Sequence, residues 1–286
     1  MFQLLRPKQW TKNLLLFAAL VFARKLLDPQ AAITATLAFV AFCLASSSIY
    51  VLNDLIDAER DRLHPEKRHR PIASGQVSSS AAIALSVVLT LGALGMGFWI
   101  GFEFGASIVI YVAMSHFYST SGKHIVILDT MLVAIGFVLR AIAGALAIDV
   151  PFSDWFVLCT LFVALFIALS KRKAELQAGG ANSGARPVLA KYSENSLTAF
   201  TGTSMAAAVI SYSLYVQDVL AENGSQFRLL LFTVPIVIFA IFRYFLLVDS
   251  GFAGEKPEET LLTDRALQLS ILGFMVVAIT AFYGGS

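Results

Sequence analysis

Asn53, Asp54, Asp57 and Asp61 are spaced so that, on a helix continuing the apolar run before them, they form one oxygen-rich stripe. Asn53 and Asp57 are four apart, Asp54 and Asp57 three, Asp57 and Asp61 four. Residues three and four apart stack on one helical face. Three carboxylates so placed repel one another unless a divalent cation sits among them. Oxygen-only ligands favour a hard ion, Mg2+, which keeps several waters and binds through substrate phosphates. Lys67, Arg68 and Arg70 follow at once and suit the phosphates such an ion would help hold. The plainer alternative is a solvated loop between helices, where mixed charge is common. The strict acidic spacing, with a basic run directly behind it, favours the phosphate site.

Composition decides where this stretch lies. The chain has 286 residues, 57% hydrophobic and 14% charged, with a mean hydropathy of +0.75. Soluble domains average roughly 45–50% apolar and about 25% charged residues. The expected class is therefore an all-α, polytopic integral membrane protein. A net charge of +2 gives no reason to expect nucleic acid as a partner. Cys43 and Cys159 both sit in apolar runs and imply no disulfide framework. The basic N-terminus (Arg6, Lys8, Lys12) precedes an apolar run as in a signal peptide, yet no cleavage site follows, so the run reads as a retained first helix.

Nine segments are apolar and long enough to be spans, at roughly 12–28, 31–52, 79–101, 104–120, 125–147, 152–171, 197–216, 229–248 and 266–283. Of the 21 lysines and arginines, sixteen fall on the N-terminal side of this arrangement, three on the other side, and Arg140 and Arg243 lie within spans. The positive-inside rule then makes the N-terminus and four loops cytoplasmic, at about 53–78, 118–125, 171–196 and 249–265. The expected setting is a plasma (inner) membrane, with the chemistry facing the cytoplasm and the C-terminus outside.

The other charged loops supply further candidates. In Tyr118–Asp129, Ser-Thr-Ser-Gly breaks a helix, Lys123 and His124 open the next, and Asp129 lies about one turn inside it. A carboxylate there favours the helix dipole, but an ionisable residue in a span is also a functional candidate. Arg140 is eleven residues further on, about 16 Å along a helix, so it shares a face with Asp129 without reaching it. It is expected to point into the bundle, where Gly136 and Gly144 allow close packing. From Lys171 to Asn195, five cations accompany only Glu175 and Glu194, and no aspartate; Lys171-Arg172 reads as a helix end and Gly179–Gly184 as a flexible linker.

Asn53-Asp54-x-x-Asp57-x-x-x-Asp61 resembles the NDxxDxxxD motif of the UbiA-type intramembrane prenyltransferase superfamily. Other segments are similar to one branch of it, the decaprenyl-phosphate phosphoribosyltransferases: LRPKQWTKN (Leu5–Asn13), DRLHPEKRHRPIASG (Asp61–Gly75), LRAIAGALA (Leu139–Ala147), KRKAEL (Lys171–Leu176), RPVLAKYS (Arg186–Ser193), FRYFLLVDSGFAGEKPEE (Phe242–Glu259) and DRALQL (Asp264–Leu269). The similarity runs in order over nearly the whole chain. It implies a single domain over residues 1–286, nine transmembrane helices in a UbiA-type bundle, and a cavity open to the cytoplasm. Prenyltransferases using a prenyl diphosphate usually carry a second aspartate-rich motif between helices six and seven. Here that loop has cations instead, which suits a donor with a second, separate phosphate.

The resemblance thus implies transfer of 5-phosphoribose from 5-phosphoribosyl 1-diphosphate to a polyprenyl phosphate, with release of pyrophosphate, for cell-wall arabinan-type precursors. Asn53, Asp54, Asp57 and Asp61 would hold Mg2+. Lys67, Arg68, Arg70, Tyr118, Lys123, Asp129, Arg140, Lys171, Arg172, Glu175, Arg186 and Tyr192 would contact substrates. The expected partners are the two substrates and membrane lipid, with a homo-oligomer left open. The four histidines, His64, His69, His116 and His124, form no triad. An acceptor phosphate needs no general base, because its second pKa lies near 6. Two alternatives remain: a polyprenyl diphosphate:aromatic acceptor transferase, and a transporter. A transporter would more often show an internal repeat or broken helices at the midplane.

Overall fold

In a computed structural model of the chain, Asp28 sets the start of the first long helix. Its carboxylate accepts from the Gln30 and Ala31 amides at 3.0 and 3.3 Å. Pro29 takes the first turn, where a missing N–H removes no helical bond. Ser78 and Ser193 cap two later helices in the same way, accepting from the amides of Ala81 and Ser196. The structure describes residues 2–63, 67–179, 187–250, 260 and 263–283. Among them every regular element is helical. The α-helices are α1 (Ala18–Phe22), α2 (Pro29–Ile56), α3 (Ala58–Arg62), α4 (Ser79–Ile100), α5 (Phe102–Thr120), α6 (Leu128–Ala147), α7 (Asp154–Gln177), α8 (Glu194–Asn223), α9 (Thr233–Asp249) and α10 (Arg265–Tyr283).

Seven described helices are long and apolar enough to cross a membrane: Pro29–Ile56, Ser79–Ile100, Leu128–Ala147, Asp154–Gln177, Glu194–Glu222, Phe227–Asp249 and Arg265–Tyr283. Helix α5 is continuous over its 19 residues but lies outside that set. The expected first span at 12–28 is not one α-helix. A 3-10 helix runs from Pro7 to Phe17, α1 follows, and the chain turns at Ala23 and Arg24. A second difference lies at Lys171-Arg172, read above as a helix end. There α7 continues to Gln177, so Arg172 and Glu175 are helical neighbours one turn apart.

The chain divides into two compact units, Met1–Ser121 with Leu139–Pro151, and Gly122–Val138 with Phe152–Ser286. In the first, α2 is lined with small buried residues: Ala38, Ala41, Ala45, Ser46, Ser47 and Ser48. With the alanines pack Phe42, Phe104, Ile108 and Tyr111. The N-terminal segment is tied to the same helix by polar side chains. Ser47 Oγ donates to the Leu5 carbonyl at 2.8 Å, Trp10 Nε1 donates to Ser47 Oγ at 3.0 Å, and Asn13 Nδ2 donates to Ser46 Oγ at 3.2 Å. In the second unit, Phe166, Ala208, Ile241, Tyr244 and Leu267 form the core of α7, α8, α9 and α10. Outward residues such as Leu91, Trp99, Leu246 and Leu272 stay more than half exposed, which suits lipid rather than water.

Gly144 lets the N-terminal segment approach α6 closely. A Cβ built there would stand 2.2 Å from the Leu16 carbonyl oxygen and 2.9 Å from its Cα, a backbone that cannot rotate away. Gly144→Ala is therefore expected to destabilise the protein by about 1–3 kcal/mol or more through overpacking. Gly95→Ala, with nothing within 4 Å of the new methyl, serves as the control. Thermal unfolding of both variants in one detergent makes the comparison. Equal stability of the two would remove the assigned role of this contact.

Candidate active site

The acidic stripe lies where α2 gives way to α3. Asn53 and Asp54 occupy the last turn of α2, Asp57 is the joint between the helices, and Asp61 sits in α3. The break is slight. The Asp57 amide still donates to the Asn53 carbonyl at 2.9 Å, and the Asp61 amide to that of Asp57 at 2.8 Å. The expected helical register is thereby kept through all four residues. Asp54 and Asp61 are buried, 3% and 4% exposed, while Asn53 and Asp57 are half-buried.

One guanidinium joins the two buried carboxylates. Arg70 Nη1 donates to Asp54 Oδ1 at 3.0 Å and to Asp61 Oδ2 at 2.7 Å. Arg6 donates to the same Asp54 oxygen and lies over the Tyr50 ring, 5.4 Å from its centroid. Arg62 Nε donates to the Ala73 carbonyl at 3.1 Å, pinning the returning loop, while Pro71, Ile72 and Ala73 are buried beneath it. Among the basic residues expected here, the structure separates Arg70, which meets the stripe, from Arg68, which is exposed and donates to His69 Nε2 at 3.3 Å. Lys67 is half-buried. His64 and Glu66 lie outside the described residues.

The second unit gathers four more of the expected residues. Asp129, fully buried in the first turn of α6, accepts from Arg172 Nε at 2.9 Å and from the Tyr192 hydroxyl at 2.8 Å. Arg172 Nη1 also donates to Glu175. Tyr192 OH accepts from the Ile127 amide at 2.7 Å, where Ile127 holds a positive φ of 70°. Burial, reinforced by the adjacent Asp129 carboxylate, pushes the Tyr192 phenol up to about 12. It therefore remains a donor at any physiological pH. Lys171, Lys123 and Tyr118 are half-buried. Arg186 lies outside the described residues, as does most of the 249–265 loop.

Arg140 takes partners of its own, as its distance from Asp129 requires. Its Nε donates to Asn13 Oδ1 at 2.8 Å and Nη2 to the Tyr111 hydroxyl at 2.7 Å, with the guanidinium 4.7 Å from the Tyr111 ring centroid. Sequence reasoning did not single out Arg6, Asn13, Tyr111 or Lys173. Lys173 is buried, donates to Asp249 at 2.6 Å and lies 5.4 Å from the Phe245 centroid. Neither Arg6 nor Lys173 stands out by spacing, because the partners are 48 and 76 residues away. A usable signal was Lys173 itself, a third cation where two would have ended a helix.

The donor set can be tested against a divalent cation. Among the described residues no group of three or more His, Cys, Asp or Glu side chains is arranged to hold a metal. That argues against an all-protein cage. Mg2+, however, commonly uses one or two carboxylates and takes its remaining ligands from water and substrate phosphate. Asp54 and Asp61 supply two such oxygens converging on one positive group, so they fit an ion held largely through substrate.

Comparison with known proteins agrees with this fold. The profile of the UbiA prenyltransferase family matches residues 14–257. A decaprenyl-phosphate phosphoribosyltransferase of Mycolicibacterium smegmatis is 38% identical, covering 97% of this chain and 91% of that protein. Its counterpart from Corynebacterium glutamicum is 36% identical over 99% of this chain and 86% of that protein. A UbiA homolog from Archaeoglobus fulgidus, solved bound to GPP and Mg2+, superposes with a TM-score of 0.69 at 19% identity, covering 99% of this chain and 96% of that one.

Proposed function

The chain belongs to the UbiA prenyltransferase family, and on that footing we propose that it transfers 5-phosphoribose from 5-phosphoribosyl 1-diphosphate to a decaprenyl-like polyprenyl phosphate, releasing pyrophosphate. The observation that carries this reading is the alignment, nearly end to end at 36–38% identity, with proteins of that named activity. The charge pattern supports the same branch. Glu175 is engaged by Arg172, in keeping with one acidic metal motif rather than two.

Asp54 and Asp61, with Asn53 and Asp57 beside them, are the residues that would hold Mg2+ on the donor. An ion held by these residues would offset charge on the departing diphosphate. Arg70 and Arg6 place guanidiniums at the same carboxylates and are suited to phosphate oxygens. Lys67, Arg68, Tyr118, Lys123, Arg140, Lys171, Arg172 and Arg186 are proposed as further substrate contacts, with Asp129, Glu175 and Tyr192 setting the direction of Arg172. In the reaction, an oxygen of the polyprenyl phosphate bonds to the anomeric carbon. The bond from that carbon to the diphosphate oxygen breaks, and its electron pair leaves with pyrophosphate. The attacking oxygen is already ionised, so no side chain has to remove a proton.

The membrane setting completes the proposal. Nine crossings in one domain, with the acidic stripe on the cytoplasmic side of the plasma membrane, agree with the charge asymmetry of the loops. Helix α5 supplies one crossing beyond the seven. The segment expected at 12–28, in which the end of a 3-10 helix leads into α1, supplies the other.

Purified protein in detergent, given ribosyl-labelled donor and a polyprenyl phosphate, is expected to move label into the lipid and release pyrophosphate. No product should form from a prenyl diphosphate and 4-hydroxybenzoate. The reverse pattern would leave the family assignment intact and overturn the donor.

A further inference from the structure

The route by which a cation reaches Asp54 and Asp61 is the least expected property of this site. Both carboxylates are buried, and the groups that cover them are guanidiniums. The side chains of Arg70 and Arg6 are 29% and 28% exposed, against 4% and 5% for the aspartates. A single nitrogen, Arg70 Nη1, lies within hydrogen-bond distance of both acidic side chains. It stands where a bridging cation would stand.

We propose that Arg70 is a displaceable stand-in for the divalent cation: it holds the Asp54–Asp61 pair together before substrate arrives and must leave for the metal to bind. The inference rests on the Mg2+-diphosphate reading above and adds an order of events to it. A guanidinium and a metal ion cannot occupy the same position between two carboxylates. Metal alone therefore binds against the loss of two charge-assisted hydrogen bonds. The diphosphate relieves that penalty, because its oxygens accept from the guanidinium that the metal has displaced. Metal and diphosphate thus bind cooperatively, each raising the affinity of the other by the same factor. Metal without donor binds weakly, so the site is loaded mainly by the complex of the two. Arg70 sits next to Pro71, Ile72 and Ala73, which are buried, so the exchange is made by the side chain while its backbone stays anchored.

The test reads metal binding directly. Mn2+ titrations followed by electron paramagnetic resonance, on full-length protein in detergent with and without pyrophosphate, compare wild type, Arg70→Gln and Arg60→Gln. Arg60→Gln removes the same charge from exposed α3 and serves as the electrostatic control. Arg70→Gln is expected to bind Mn2+ alone about ten- to a hundredfold more tightly than wild type, since hydrogen bonds to charged groups are of that order. Its gain from pyrophosphate should shrink by a similar factor, while Arg60→Gln changes little. Equal Mn2+ affinity in wild type and Arg70→Gln, or an equal rise in both variants, would overturn the proposal. Failure of wild type to bind Mn2+ even with pyrophosphate would instead overturn the metal-diphosphate reading beneath it. A second measurement needs no variant. Phenylglyoxal labelling of wild type, mapped by mass spectrometry, should increase at Arg70 when Mg2+ alone is raised to saturation and fall when pyrophosphate is added. Unchanged labelling at saturating Mg2+ would count against displacement as directly as the titration.

Discussion

Replacing Asp54 by asparagine is expected to lower turnover by roughly a hundred- to ten-thousandfold, and replacing Asp61 by roughly ten- to a hundredfold, while leaving a folded, extractable protein. The magnitude follows from the charged hydrogen bonds each aspartate makes. Asp54 receives two guanidiniums and Asp61 one. Hydrogen bonds to charged groups are each worth about 1.5–3 kcal/mol, and each 1.4 kcal/mol is about a tenfold change in rate. Asparagine keeps the shape and one acceptor oxygen but removes the charge that a metal or guanidinium needs. Chelation with EDTA should abolish activity reversibly, with Mg2+ restoring it, because few protein ligands hold the ion. Pyrophosphate release and thermal unfolding, measured on the same preparations, separate the site effect from a folding defect. Activity within tenfold of wild type in both variants would refute the role given to this pair.

The second large effect is expected in stability. Asp129, Arg172 and Tyr192 form a buried knot in which Nε of one arginine serves Asp129 and Nη1 serves Glu175. Removing one partner of a buried ion pair costs about 3–5 kcal/mol, because the other charge is left uncompensated. Arg172→Met and Asp129→Asn should each show a loss of that size. The double variant should lose much less than the sum, since it leaves no orphaned charge at position 129. Arg172→Lys is expected to be nearly as damaging as Arg172→Met, because one ammonium cannot reproduce a fork directed at two acids. Unfolding in detergent across this cycle supplies the numbers. A loss below about 1 kcal/mol for Arg172→Met would mean the knot is not what holds these segments together.

Much of the fold was legible because long apolar runs are local signals. The expected segments at 31–52, 79–101 and 104–120 correspond to helices Pro29–Ile56, Ser79–Ile100 and Phe102–Thr120. The N-terminal segment was not legible as it stands. Its geometry depends on Asn13 reaching Arg140 and on Gly144 admitting the Leu16 backbone, and neither contact leaves a trace in local composition. The acidic stripe could be read from spacing alone, since it continues α2 into α3. Spacing could not rank Lys67, Arg68 and Arg70, which look alike in sequence; only the turn at Pro71–Gly75 aims the last of them at the aspartates. The reach of α7 past Arg172 was missed for a related reason. Polar residues there resemble a helix end, but their charges are neutralised by acids from elsewhere in the chain.

The Asn13–Arg140 bond also bears on the order in which the protein is made. These partners are 127 residues apart, so at ribosomal speeds of about 5–20 residues per second the N-terminal segment waits roughly 6–25 s for its acceptor's counterpart to be synthesised. Until then Asn13 has only Ser46 and Cys43 from α2 as described partners, and Leu16 has no Gly144 to pack against. A nascent chain stalled before Leu139 should therefore hold its first segment loosely, and a chain released beyond Ala147 should lock it. The segment around Asn13 thus leaves the ribosome well before Arg140 and settles only after it.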